Sequence, residues 1–101
     1  MVKEKIAAHY RAIWERGLIH PGTTVHEFME KLEEEYHELR NEYAEMNWQN
    51  VDEPTKQFIQ EATDLVMVIL NMFEHYNIDF EKELIENLLV QESGPKKKEE
   101  A

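Results

Sequence analysis

The sequence predicts an all-α fold, a four-helix bundle completed by a second copy of the chain. Three observations lead there. Gly and Pro number only three each in 101 residues, which leaves room for few turns. Apolar residues recur at helical spacing in four segments separated by turn signals. Hydrophobic residues make up 42% of the chain beside 33% charged ones, too apolar for a disordered acidic segment and too charged for a membrane protein. The length suits one domain, expected over residues 1–92, with 93–101 as a disordered tail.

The first expected helix runs from Val2 to Arg16, with Ile6, Tyr10, Ile13 and Trp14 on one stripe and Gly17 as its stop. A loop through His20, Pro21 and Gly22 leads to Thr24, whose spacing from Glu27 is that of a capping box. The second helix then carries Phe28, Met29, Leu32, Tyr36, Leu39 and Tyr43 on its apolar stripe. Periodicity stops between Asn47 and Glu53, and Asp52-Glu53-Pro54 reads as an N-cap with proline in the first turn of a third helix, Pro54 to Tyr76. Asn77-Ile78-Asp79 is a short turn, and Asp79 caps a fourth helix that fades near Gln91. Within the third helix, Leu65 to Leu70 is apolar on every face, and such a helix must be covered on every face. A chain this small can scarcely cover it alone, so a dimer or a dimer of dimers is expected.

Composition narrows the function. Asp and Glu number 22 against 11 Lys and Arg, a net charge of −11, which makes nucleic acid an unsuitable partner. Without cysteine there is no disulfide framework, thiolate metal site or Cys nucleophile. No stretch approaches the roughly 18 apolar residues of a membrane span, and Met1-Val2-Lys3-Glu4 does not open a secretory signal. No membrane partner and a cytoplasmic location are the expectation.

Most carboxylates fall on solvated faces, but four do not. At 100° per residue Glu35 lies about 60° from Leu32 and about 40° from Leu39, bordering the core-facing stripe. Glu38 shares its flank at i+3, with Glu42 near it. Glu61 and Asp64, again at i and i+3, open directly onto the apolar turn, with Val68 stacked beneath both. Ionised carboxylates beside such a surface are costly without a cation, and no Lys or Arg lies between Gln57 and Tyr76. In an antiparallel bundle the two pairs converge into an oxygen-only site for a hard divalent ion, Mg²⁺ with Mn²⁺ as substitute.

Glu34-Glu35-x-x-Glu38, then 22 residues, then Glu61-x-x-Asp64, resembles the signature of the MazG-like all-α nucleoside triphosphate pyrophosphohydrolases. Dimeric dUTPases, dCTP pyrophosphatases and phosphoribosyl-ATP pyrophosphatase are relatives in that superfamily. The apolar run after Asp64 and the Asn77-Ile78-Asp79 turn extend the likeness over roughly Val25 to Val90. The resemblance implies a Mg²⁺-dependent enzyme cutting a nucleoside triphosphate between its α and β phosphates, releasing the monophosphate and pyrophosphate. It implies Glu35, Glu38, Glu61 and Asp64 as metal ligands. A further carboxylate would orient or deprotonate the water; Glu34 is nearest in sequence but points off the stripe, and Glu38 can do both jobs.

For the nucleoside, Trp14, Trp48, His20 and Tyr43 are candidates for stacking or edge contacts, with Asn71 two turns beyond Asp64. Trp14 and Tyr43 also fit a core role, whereas Trp48 sits in a polar stretch. His9, His26, His37 and His75 read as helix-surface or boundary residues with no assigned role. Many relatives carry basic residues on the last helix; here Glu86 to Gln91 holds none, and Lys82 is that helix's one cation. A di-iron bundle would need two Glu-x-x-His motifs, and only Glu34-x-x-His37 is present, since Met72 stands three before His75. The stronger rival is a non-catalytic acidic helical regulator, or a degenerate module that keeps nucleotide binding alone.

Overall fold

The computed structural model describes residues 2–93 as four α-helices without a strand: α1 Val2–Glu15, α2 Val25–Trp48, α3 Lys56–His75 and α4 Phe80–Ser93. Ser93, expected in the tail, instead closes α4; the rest of that expected tail, 94–101, lies outside the described residues.

Local chemistry explains the boundaries. The Thr24 hydroxyl accepts from the Glu27 amide at 3.2 Å while the Glu27 carboxylate accepts from the Thr24 amide at 3.2 Å, the reciprocal box expected from sequence. For α3 the cap is Thr55, not Asp52: its hydroxyl accepts from Phe58 N–H at 3.1 Å. Pro54 therefore stands just outside the helix, where its fixed φ continues the extended lead-in that a proline imposes on its predecessor. Trp48 closes α2 rather than lying in the following loop.

Three helix ends share one device. Gly17, Asn50 and Asn77 have φ of 78°, 62° and 58°, the left-handed region that ends a helix. After each, the next amide reaches five residues back, as Leu18 does to Ile13 (3.2 Å), Val51 to Met46 (2.9 Å) and Ile78 to Phe73 (2.8 Å). These bonds satisfy carbonyls that a terminating helix leaves open. Asp79 then caps α4, its Oδ1 accepting from Lys82 N–H at 3.2 Å and its Oδ2 from Lys3 Nζ of α1 at 3.4 Å.

α3 packs chiefly on α2 and secondarily on α1. Phe28 near the start of α2 meets His75 and Tyr76 at the end of α3, while Glu38 further along α2 meets Glu61 early in α3, so the pair is antiparallel. The apolar core is small: Ile6, Ile19 and Phe28 are its buried members. The expected stripe on α2 is only partly covered, since Met29, Tyr36 and Tyr43 are each nearly half exposed. On α4, Leu84, Ile85 and Leu88 are all more than half exposed, and among the described residues α4 packs on the other helices far less than α1 and α2 pack on α3, with Lys3 of α1 4.0 Å from Glu81. The described part of the chain leaves much of its apolar surface facing outward. No described helix is long and apolar enough to cross a membrane.

Candidate metal centre and adjoining cavity

Antiparallel packing of α2 on α3 brings Glu35, Glu38 and Glu61 together, each offering a carboxylate oxygen within 4.8 Å of the others. Their environments differ. Glu35 is 8% exposed, Glu61 is half-buried and Glu38 faces solvent. The Oε1 atoms of Glu35 and Glu61 are buried with no hydrogen-bond partner among the described residues. Their other oxygens are engaged, Glu35 Oε2 with Lys31 Nζ at 3.3 Å and Glu61 Oε2 with Gln57 Nε2 at 3.0 Å. Buried carboxylate oxygens without donors are costly, and a cation held by the cluster would offset that cost. An oxygen-only donor set suits a hard divalent ion.

Electrostatics agree with that reading. Glu38 is held above the usual carboxylate range, first by the negative charge of Glu35 and then by Glu61 beside it. Glu34 behaves oppositely: Lys31 donates to it at 2.7 Å and lowers its carboxyl below the usual range. It faces outward, as its position off the stripe implies. Asp64 is exposed and is not among the three converging carboxylates.

Glu35 and Asp64 also border a cavity of about 610 Å³ between α1, the loop after it, α2 and α3. Its walls are largely apolar, with Ile13, Phe28, Met67 and Val68, and its polar groups include Lys31, His20 and the buried Asn71. His9 Nδ1 lies 3.4 Å from Asn71 Oδ1. Such a volume falls within the range of small-molecule sites.

Among the other residues singled out from sequence, Asn71 and His20 line this cavity and Trp14, Trp48, Tyr43 and Lys82 do not. Trp14 leans on Tyr10 and His75, and Tyr43 lies under the Arg40 guanidinium. Trp48 is 87% exposed, and Lys82 lies within 3.8 Å of Glu86 on α4.

Two residues escaped the sequence reading. Lys31 is one, although its i+3 and i+4 spacing to Glu34 and Glu35 was there to be read. The other is His75, far from an ordinary surface residue: its Nε2 lies 3.0 Å from the Thr23 carbonyl and its Nδ1 2.8 Å from the Tyr10 hydroxyl. A carbonyl only accepts, so Nε2 carries the hydrogen and Nδ1 accepts from Tyr10. Tyr76 also donates to Thr23 O, at 3.3 Å. This knot ties α1 and the loop before α2 to the end of α3, and no local signal marks it, because its members are 52 and 65 residues apart.

No protein-family model matches the chain, and no curated protein or solved structure is significantly similar to it.

Proposed function

We propose that the chain is a nucleoside triphosphate pyrophosphohydrolase of the MazG-like kind, cutting between the α and β phosphates to give the monophosphate and pyrophosphate. The observation that carries this reading is the cluster of Glu35, Glu38 and Glu61, two of which hold a buried oxygen without a partner, where Glu35 also walls a nucleoside-sized cavity. Bound there, Mg²⁺, or Mn²⁺ in its place, would neutralise phosphate charge, polarise phosphorus and lower the pKa of an attacking water. Glu35 and Glu61 supply the inner oxygens from two different helices, and Asp64 adds a carboxylate on the cavity wall. Glu38, the solvent-facing member, is better placed than Glu34 to accept a proton from water, because Glu34 faces outward and lies outside the converging carboxylates. The apolar walls exclude water around the nucleoside, and the Asn71 amide gives a base edge a directional partner.

The active form in this reading is a homo-oligomer, a dimer or a dimer of dimers. Leu84, Ile85 and Leu88 of α4 supply one exposed apolar surface. A second lies in the groove between α2 and α3 bordered by Met29, Leu32, Tyr36, Leu65 and Ile69. Burial against a second copy would cover both.

The test is a panel of ordinary and modified nucleoside and deoxynucleoside triphosphates with Mg²⁺, scored for pyrophosphate. Release from at least one, lost in Glu61→Ala, is the expected result. If the wild type releases pyrophosphate from none of them, while Mg²⁺ still raises its melting temperature, the chain is a binding module and the enzyme reading fails.

A further inference from the structure

We infer that Lys31 is the phosphate-binding cation of this site, resting on Glu34 and Glu35 in the metal-free protein and exchanging them for the phosphate oxygens of a polyphosphate ligand. The inference rests on the metal-site reading above and adds a residue to it. Four observations lead to Lys31.

Lys31 is the one Lys or Arg among the residues lining the cavity. Its neighbours elsewhere do not compete for the role: no Lys or Arg lies between Gln57 and Tyr76 on α3, and Lys82 on α4 sits beside Glu86. Its ammonium lies 2.7 Å from Glu34 and 3.3 Å from Glu35, with the side chain about half exposed (54%). The pair with exposed Glu34 is weak, the pair with Glu35 is more shielded at 11% side-chain exposure, and both partners lie one turn away on α2, so the exchange needs only rotation of a flexible side chain. Finally, Glu35 belongs to both arrangements. It holds Lys31 through Oε2 while its Oε1 is buried without a hydrogen-bond partner, and the residue is a member of the carboxylate cluster.

A divalent ion held by Glu35, Glu38 and Glu61 places like charge beside the Lys31 ammonium and weakens its hold on Glu35. A polyphosphate brought to the same cavity offers it several ionised oxygens, each an acceptor for a charge-assisted bond. Lys31 thus serves as counter-ion to an otherwise costly buried carboxylate before ligand arrives, and as a phosphate contact afterwards.

The experiment uses the full chain and reads binding, not turnover. Mn²⁺ alone is titrated calorimetrically, then inorganic tripolyphosphate is titrated at saturating Mg²⁺. Lys31→Gln should bind Mn²⁺ at least as tightly as wild type and bind tripolyphosphate roughly tenfold more weakly, the loss of one charge-assisted contact. Lys31→Arg should keep most of the tripolyphosphate affinity. Arg11→Gln, removing a cation outside the cavity lining, should change neither titration by more than about twofold. The inference is overturned if Lys31→Gln binds tripolyphosphate like wild type, if Arg11→Gln loses as much, or if the wild type binds Mn²⁺ but no tripolyphosphate; each of these leaves the metal site standing. A wild type that binds no Mn²⁺ overturns both.

Discussion

Charge and hydrogen bonding at single residues decide what this chain can bind. Among the described residues Glu61 pairs with no Lys or Arg and accepts from the amide of Gln57, so it adds negative charge beside Glu35 and Glu38. Glu61→Gln should therefore stabilise the metal-free protein slightly, by up to about 1 kcal/mol. The same change should abolish the gain expected from Mg²⁺, about 2.7 kcal/mol when the ion is at a hundredfold excess over its dissociation constant. Urea unfolding with and without Mg²⁺ measures both, and a Glu61→Gln protein that still gains stability from Mg²⁺ would contradict the proposed ligand set. His75 is the second decisive residue. His75→Phe keeps the aromatic contacts to Phe28 and Tyr76 but strands the Tyr10 hydroxyl and leaves the Thr23 carbonyl with Tyr76 as its one side-chain donor. Burial, with Glu74 adding to it, keeps the Tyr10 phenol above its usual range, so it remains a donor without an acceptor. A loss of about 1–3 kcal/mol is expected in denaturant unfolding.

Helix ends set where these residues stand. The left-handed Asn77 joins α3 to α4 and precedes the cap at Asp79. Asn77→Val should cost about 1–2 kcal/mol, because a β-branched residue resists that backbone, whereas Asn77→Gly should be neutral or better. Thermal melts of the two variants separate strain from lost side-chain contacts. Asp79 carries a pH signature. The amide of Lys82 and, after it, Lys3 hold its carboxyl below the usual range. A lowered folded-state pKa contributes stability above the unfolded value near 3.8 and loses it as pH falls through the folded one. Asp79→Ala should thus melt lower than wild type at neutral pH, with the gap closing in acid below about pH 4. The helices and most of these ends were legible from spacing and capping chemistry, which act over a few residues. The start of α3 was not, because both Asp52 and Thr55 can cap and only the Phe58 amide decides between them.

At the scale of the molecule, the outward-facing apolar surface is the dominant fact. Ile6, Ile19 and Phe28 make a core too small to account for a 42% hydrophobic chain, and the exposed residues of α4 continue that surface outward. Sedimentation velocity should show a species larger than a 12.1 kDa monomer at micromolar concentration. Leu84→Glu with Leu88→Glu should shift it toward monomer and lower the melting temperature in a concentration-dependent way. A wild type that sediments as a well-folded monomer would set the assembly aside without touching the metal site.

The sequence by itself determined the helical class and the order of the four helices, while of the two acidic pairs it set apart from the solvated face, Glu38 and Asp64 are exposed. Periodicity, caps and charge are properties of neighbours along the chain, and a helix converts spacing into direction. Only the tertiary structure decided which carboxylates meet. Glu61 comes to Glu35 and Glu38 across the α2–α3 interface while Asp64, one turn further on, faces the cavity instead. It also decided that Lys31 holds the buried acid, that His75 knots three segments together, and that α4 leaves its apolar side uncovered. These depend on the angle and register at which helices pack, which distant side chains set jointly and no local pattern records.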